Sequence, residues 1–231
     1  MEHWVYTFNM LGHTITVNLD TILTMWFAML VILIFAVIAT RKLTIVPNKL
    51  QAASEALMNF FYGTLDTIMP CKNKQHVPFV ASLFLFILTA NLMGQLPLRI
   101  IHLKNGELAS PTNDINVTAA LAILVLIYYV AVGLMAKKFK FFIQEFSIQG
   151  IIEFLVELLE MVTRPLSLAI RLFANIFAGE VLVTICLGIS AKFLPLPVMF
   201  FEIIVAFIQA TVFMMLTIAY ISSAATVEEH E

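Results

Sequence analysis

The sequence has 231 residues, of which 61% are hydrophobic and only 12% are charged, with a mean hydropathy of +0.97 and a formal net charge of −2. A soluble domain carries roughly 25% charged residues, so the composition indicates a polytopic membrane protein with little room for a separate soluble domain. The absence of a basic patch excludes a nucleic-acid partner, and Cys71 and Cys186 provide neither a disulfide framework nor a metal site.

The first membrane span is predicted over residues 21–40. Residues 1–20 are polar and aromatic and lack the pattern of a signal peptide, so we expect the first span to direct insertion. Residues 21–40 hold no charge, and about 20 apolar residues cross the hydrocarbon core. Arg41, Lys42 and Lys49 follow, and basic clusters mark the cytoplasmic side. The N-terminus is therefore predicted to lie outside.

Residues 49–70 have an amphipathic pattern. Leu50, Leu57, Phe61 and Leu65 recur at helical spacing, while polar residues fill most other positions. The segment is too polar to span, which favours an interfacial amphipathic helix. An ordinary helix that packs on other helices fits the same pattern, and the sequence leaves both interpretations open.

Two further spans without charge are predicted at 77–98 and 115–136. Three lysines follow the second of them and place its end on the cytoplasmic side. Asn91 and Gln95 lie four residues apart on one face near the outer end of the first. Such amides either form hydrogen bonds between helices or line a wet cavity, and both alternatives stay open.

Residues 147–190 are predicted to form one long helix. At 1.5 Å per residue the helix is about 66 Å long, roughly twice the thickness of the hydrocarbon core. A polar stripe follows one face and contains, among others, Arg164, Arg171 and Asn175. We therefore expect a strong tilt, with the stripe against protein or water, and a bend at Pro165.

The last helix is predicted at 198–226, after a turn formed by Pro195 and Pro197. It carries its own polar stripe, which consists of Glu202, Ala206, Gln209, Phe213 and Thr217. The predicted fold class is thus an all-α polytopic membrane protein, with a single membrane domain over 1–231. It has five membrane-embedded helices and one interfacial amphipathic helix, and its last two helices are long, strongly tilted and antiparallel.

Three ionisable groups at membrane depth are the candidates for function, because charges there are costly. Arg171 keeps its proton at any relevant pH, so it does not relay protons and requires an anion nearby. Glu180 lies nine residues further on, on the opposite helix face, so a carboxylate from another chain is the natural partner. Glu180 and Glu202 can exchange protons with water. An internal ion-pair network of all three residues remains the alternative.

The sequence resembles the a-subunit family of F-type rotary ATP synthases. The resemblance covers nearly the whole chain and is carried by four segments: SLAIRLFANIFAGE (167–180), IQATVFMMLTIAYIS (208–222), TANLMGQLP (89–97) and PTNDINVT (111–118). The first of these is highly specific. Ala174 stands where many members have glycine, and Gly94 where some have an acid.

The resemblance implies site residues by position. The essential stator arginine falls on Arg171. The other residues implied in ion translocation are Asn175, Glu180, Glu202 and Gln209. Channel-lining positions are implied for Asn91, Asp114 and Asn116.

The resemblance also implies a function. The chain is expected to be a stator subunit with two half-channels, which are aqueous paths that reach the middle of the membrane from opposite sides. Its expected partners are the rotating c-subunit ring, the b-subunit peripheral stalk, the remaining ATP synthase subunits and membrane lipid. No cofactor is implied, because ATP chemistry belongs to other subunits, and the short chain suggests a bacterial plasma membrane. Whether the ion is a proton or sodium stays open.

Other functions are less consistent with the sequence. A proton-coupled secondary transporter, the main alternative, predicts inverted repeats and helices broken at the midplane, and neither pattern is evident. An intramembrane hydrolase would carry a motif such as GxSxG or HExxH, which the sequence lacks. A proton-pumping subunit of a redox complex usually needs lysines inside its spans, whereas the lysines here lie in loops and flanks.

Overall fold

The computed structural model describes residues 5–10, 13–41, 44–69, 74–95, 110–137, 148–188 and 195–225. These ranges contain the helices α1 (Leu19–Thr40), α2 (Lys49–Ile68), α3 (Val77–Gln95), α4 (Ile115–Lys137), α5 (Ile148–Gly188) and α6 (Pro195–Ala225). All of them except α2 contain a stretch long and apolar enough to cross a membrane. The predicted all-α polytopic class, with five membrane helices and one further amphipathic helix, is confirmed.

A β-hairpin precedes the first membrane helix. Strand β1 (Val5–Met10) pairs antiparallel with β2 (His13–Asn18), so that Val5 lies opposite Asn18. The sequence analysis treats residues 1–20 only as polar and aromatic and does not predict these strands. Residues 14–17 are all β-branched, which is the local signal for a strand. The hairpin adds to the helical membrane fold without changing its class.

The core lies where α3, α4 and α6 meet, and α2 and α5 contribute to it. Its cluster of buried side chains includes Phe61 of α2, Phe84 of α3, Leu172 of α5 and Phe213 of α6. The rings of Phe61 and Phe84 meet edge to face, with centroids 5.4 Å apart. Helix α2 therefore packs on other helices along one side, as the second interpretation of its pattern expects. Its place at the membrane interface stays a prediction.

Helices α5 and α6 form an antiparallel pair. Helix α5 has 41 residues without interruption, including Pro165, and is about 60 Å long at 1.5 Å per residue. Arg164 in the first half of α5 contacts Ser223 near the end of α6, whereas Gly179 further along α5 lies against Glu202 near the start of α6. This order fixes the antiparallel direction. The tilt of the pair in a bilayer stays a prediction.

The start of α6 differs from the prediction. The helix begins at Pro195 rather than at 198, so Pro195 and Pro197 lie in its first turn and not in the preceding turn. Proline fits there because the first N–H groups of a helix have no partner within the helix, and its fixed φ suits the helical backbone. Helix α3 ends at Gln95, three residues before the predicted 98; Pro97 follows at the place where prolines commonly follow helix ends.

Helix α1 is attached to the rest of the fold near its N-terminal end. Its buried residues are Asp20, Thr21, Thr24 and Ala28 near the start, and Ala39 near the end. Large apolar side chains such as Trp26 and Leu33 are exposed along the remainder. An apolar exterior of this kind suits contact with lipid.

Candidate functional site

Arg171 lies on the exposed side of α5. Leu168 and Leu172, on the adjoining face, are 1% and 0% exposed and belong to the core. Ser167 and Ala174, which share the side of Arg171, are exposed. Burial of the leucines thus shows how α5 is rotated about its axis, with the guanidinium turned away from this chain's own core. The short neighbours leave room for another helix to approach.

The guanidinium of Arg171 makes no hydrogen bond or salt bridge with any residue that the structure describes. The side chain of Glu180 lies outside the described residues, and only its helical backbone is placed. Glu202 is described, and no salt bridge joins it to Arg171. The alternative of an ion-pair network of Arg171, Glu180 and Glu202 therefore has no salt bridge between Arg171 and Glu202. Among the described residues, no anion accompanies Arg171.

The polar stripe of α6 faces the protein interior. Glu202 and Gln209 are 8% and 7% exposed, and the other stripe residues, Ala206, Phe213 and Thr217, are also buried. The Nε2 atom of Gln209 is buried and has no hydrogen-bond partner among the described residues. A buried donor left without a partner costs about 1–3 kcal/mol. Its place suits a water molecule or a polar group brought by another chain.

Gly179 brings α5 close to the carboxyl group of Glu202. A Cβ atom added at Gly179 would lie 2.6 Å from Glu202 Oε1 and 3.0 Å from its Cδ. The backbone next to Glu180 is therefore level with Glu202. Arg171 lies eight residues before Gly179 on α5, and Gln209 lies seven residues after Glu202 on α6. At 1.5 Å per residue along antiparallel helices, Arg171 and Gln209 therefore lie at about the same depth. Asn175 lies between these levels on α5 and is half-buried.

A second group of buried polar residues joins α3 to the turn before α4. Asn91 is fully buried, and its Oδ1 accepts a hydrogen bond from the hydroxyl of Thr112 at 2.9 Å. The Ser110 hydroxyl lies 2.8 Å from Thr112 Oγ1 and donates to the carbonyl of Ala90 at 2.9 Å. Asn91 Nδ2 has no partner within the described ranges. Asn91 thus belongs to a polar network between elements; the side chain of Gln95 lies outside the described residues.

Asp114 holds the start of α4. Its Oδ1 accepts hydrogen bonds from the backbone N–H and the side-chain amide of Asn116, both at 2.9 Å. Its Oδ2 accepts a hydrogen bond at 2.8 Å from Asn18, which immediately precedes α1. An aspartate that accepts from the N–H two residues on is a common helix cap. These contacts explain the structural role of Asp114, and the channel-lining role implied for Asp114 and Asn116 stays a prediction.

Metal ligation has no support in the part of the chain between 5 and 225 that is described. No group of three or more His, Cys, Asp or Glu there could hold a metal ion. Cys186 is a buried free cysteine, and Cys71 lies outside the described residues.

Comparison with known proteins identifies the family to which this arrangement belongs. The family model described as "ATP synthase A chain" matches residues 22–222. The chain belongs to this ATP synthase A chain family. It is 40% identical over 222 residues to "ATP synthase subunit a" of Gloeobacter violaceus, across 94% of this chain and 87% of the relative. It is 37% identical over 213 residues to "ATP synthase subunit a, chloroplastic" of Stigeoclonium helveticum, across 91% and 85%.

Membership of the ATP synthase A chain family confirms the resemblance that the four sequence segments indicated. The matched range contains Arg171, Glu202 and Gln209 together with the other candidate residues. The roles of the individual residues rest on the structural argument and stay predictions.

Sequence reasoning missed several contacts around these residues. Ser110 and Thr112 were not singled out, although hydroxyls beside a buried amide are ordinary hydrogen-bond partners. Gly179 was noted only as part of a motif. A glycine in an apolar helix is a signal of close helix approach, but only the three-dimensional structure shows that the approaching group is the carboxyl of Glu202.

Proposed function

We propose that this chain is the ion-translocating stator subunit of the membrane sector of a rotary ATP synthase. In this proposal it provides two half-channels and presents Arg171 to a rotating ring of c subunits, whose carboxyl groups carry the ion. The flow of protons or sodium ions across the membrane would thereby be coupled to ATP synthesis, while ATP chemistry takes place on other subunits. The b-subunit peripheral stalk would hold the chain still against the ring.

The exposure of Arg171 carries the proposal. A permanent cation at membrane depth is costly when no anion accompanies it, and the described part of this chain supplies none. A carboxylate arriving from a neighbouring chain would meet the guanidinium on an open face flanked by Ser167 and Ala174. At about 4 Å and an effective dielectric near 20, the attraction is roughly 4 kcal/mol. That is enough to favour the ionised carboxylate and small enough for the next ion to release it.

The buried polar residues support a path to one side of Arg171. Glu202 and Gln209 line the inner face of α6, and Gly179 brings the backbone beside Glu180 to the level of Glu202. Both acids would lie about 10–13 Å from the level of Arg171, towards the outer side. We assign Glu180, Glu202, Gln209 and Asn175 to ion translocation. We assign Asn91, Asp114 and Asn116 to the lining of the outer half-channel.

The proposed orientation follows from the basic residues. Arg41, Lys49 and Lys74 lie at helix ends or turns, and basic residues of this kind mark the cytoplasmic side. The N-terminus would then lie outside and the C-terminus inside, in a bacterial plasma membrane. Single cysteines at positions 3 and 229, labelled with an impermeant reagent in oriented vesicles, would test this. Reaction of both positions from the same side would contradict the proposed orientation.

The test of the function is the replacement Arg171→Ala. We expect ATP-driven proton pumping in membrane vesicles to be lost while the complex still assembles, because an exposed side chain contributes little to the fold of the chain itself. Arg171→Lys keeps a charge but loses the planar guanidinium and can lose its proton when buried, so we expect it to fail as well.

Arg41→Ala serves as the matched control. It removes the same side chain from an exposed position at the end of α1, and surface substitutions of this kind change stability by only about 0.5 kcal/mol. Pumping should therefore stay near the parent level. Normal pumping by the Arg171→Ala variant would overturn the proposed function.

A further inference from the structure

A second arginine, Arg164, lies two helical turns before Arg171 and has very different surroundings. Its Cζ atom is 5.4 Å from the ring centroid of Tyr129 and 5.0 Å from that of Tyr220. Its Nη1 donates to the Ser223 hydroxyl at 3.3 Å, and its Nη2 forms a salt bridge with Glu160 one turn earlier on α5. We call this group the Arg164 clamp.

The Arg164 clamp joins three helices at one point. Tyr129 belongs to α4, Arg164 to α5, and Tyr220 and Ser223 to α6. Tyr129 is itself buried and packs with Ala224 and Tyr220. A guanidinium that contacts two aromatic rings and a carboxylate at once has little freedom to turn, because each contact depends on its position and direction.

The position of Arg164 on α5 allows the Arg164 clamp to influence the direction in which Arg171 points. Seven residues correspond to almost two full turns, so the two arginines share one face to within about 20°. Arg164 reaches into the seam between α4 and α6, whereas Arg171 is exposed. Pro165 directly follows Arg164 and removes one backbone hydrogen bond of α5. The helix therefore resists bending or turning less at this point. A side-chain contact beside this point is well placed to hold the direction of the following segment.

We propose that Arg164 is a positioning residue for ion translocation, which fixes the rotation of α5 about its axis and hence the direction in which Arg171 points. The inference rests on the proposed function of Arg171. Arg164 itself touches no transported ion in this proposal; it acts through the rings of Tyr129 and Tyr220.

The direct test measures the rotation of α5. Single cysteines at positions 168, 172 and 174 are introduced in a chain whose Cys71 and Cys186 are replaced by serine. Their reactivity towards a maleimide is compared in the purified subunit in detergent, where no ring covers the face of Arg171. In the parent, positions 168 and 172 should be protected and position 174 reactive, as their burial predicts. Arg164→Leu and Tyr220→Leu should shift this pattern so that a protected position becomes reactive. Tyr220→Phe keeps the ring and should leave the pattern unchanged.

The functional arm uses the same variants. Loss of two cation–π contacts corresponds to roughly a 5- to 30-fold shift in the equilibrium between orientations of α5, so pumping by Arg164→Leu should fall by up to that factor. Arg164→Lys keeps a cation for the rings and should retain more pumping than Arg164→Leu.

Two results would overturn the inference. One is normal pumping by Arg164→Leu while Arg171→Ala fails, which leaves the proposed function intact. The other is reduced pumping with an unchanged labelling pattern, which would assign Arg164 a direct role instead. Normal pumping by Arg171→Ala would reject the proposed function. The labelling pattern of α5 is measured independently of pumping, so this result can be told apart from failure of the inference.

Discussion

Helices α5 and α6 carry similar polar stripes and use them in opposite ways. The stripe of α6 is buried against the protein from Glu202 to Thr217. The stripe of α5 is exposed at Ser167 and Arg171 and only half-buried at Asn175. The two helices lie side by side in one antiparallel pair, so the difference arises from which face each one turns towards the core.

A polar stripe in a membrane helix therefore shows which residues share one helix face. It does not show whether that face packs against the same chain or faces outward. Buried polar groups require partners within the chain or bound water, and the α6 stripe together with Asn91 provides such an interior. An exposed arginine on an apolar helix is suited to an anionic partner from another chain. The first pattern is suited to a path for ions, and the second to a contact with a moving partner.

A matched pair of substitutions separates the two faces most strongly. Ala210 on α6 is fully buried and Ala174 on α5 is exposed. Ala210→Leu should destabilise the subunit by about 1–3 kcal/mol because it overfills the core. Ala174→Leu should leave the subunit stable yet abolish pumping, because a ring helix can no longer approach Arg171 closely.

The measurements are the thermal midpoint of the purified subunit in detergent and ATP-driven pumping in vesicles. A stable Ala210→Leu variant, or an unstable Ala174→Leu variant, would break the distinction between the faces.

The next prediction concerns the two acids. Replacing Glu180 and Glu202 together by alanine should lower passive proton flux through the membrane sector by about tenfold or more, since positioned proton-transfer groups contribute at least that much. Each single replacement should have a smaller effect, and assembly should persist. Full flux in the double variant would show that the acids do not serve the path.

Gly179 offers a finer test at the contact between the two helices. Gly179→Ala places a methyl group against the carboxyl of Glu202, which is the mobile end of its side chain and can shift. We therefore expect pumping to fall severalfold with little loss of stability. Gly63 has nothing within 4 Å of an added Cβ atom, so Gly63→Ala should preserve pumping and gain up to about 1 kcal/mol of helix stability. Equal pumping by the two variants would argue against a role for the Gly179 contact.

The smallest expected effect lies in the network around Asn91. Thr112→Val removes the hydroxyl that donates to Asn91 and lies against Ser110. The Ser110 hydroxyl keeps its bond to the carbonyl of Ala90, but the buried Asn91 Oδ1 loses its donor, which should cost about 1–3 kcal/mol and lower the thermal midpoint. Thr40→Val removes an exposed hydroxyl that bonds only within its own helix and should change stability by about 0.5 kcal/mol or less. The two midpoints should differ accordingly.

Much of the fold could be predicted from the sequence because runs of apolar residues determine membrane helices directly. The predicted and observed bounds of α1, α4 and α5 differ by at most two residues. The hairpin over 5–18 was missed because its strands are short, and six residues give a weak periodic signal. The predicted start of α6 is too late because proline is typical both of turns and of the first turn of a helix, and sequence alone does not separate the two.

The site was predictable in part. Arg171, Glu202 and Gln209 stand out as polar residues in apolar helices, and helical spacing alone assigns them to stripes. The contacts that set their surroundings join distant parts of the chain. Arg164 and Ser223 are 59 residues apart, and no local pattern reports such a pairing.

The hydrogen bond between Asn18 and Asp114 has a consequence for the order of events during synthesis. It joins residues 96 apart, and at about 5–20 residues per second the ribosome needs roughly 5–20 s to make that length. Helix α1 is therefore made before its N-terminal end can form this contact, and its apolar exterior suits it to stay in lipid during that interval. Disulfide trapping between cysteines at 18 and 114 in nascent chains stalled at increasing lengths would time the closure. No trapping is expected in chains too short to expose residue 114 from the ribosome. A trapping yield that stays low and does not rise in longer chains would contradict this order of events.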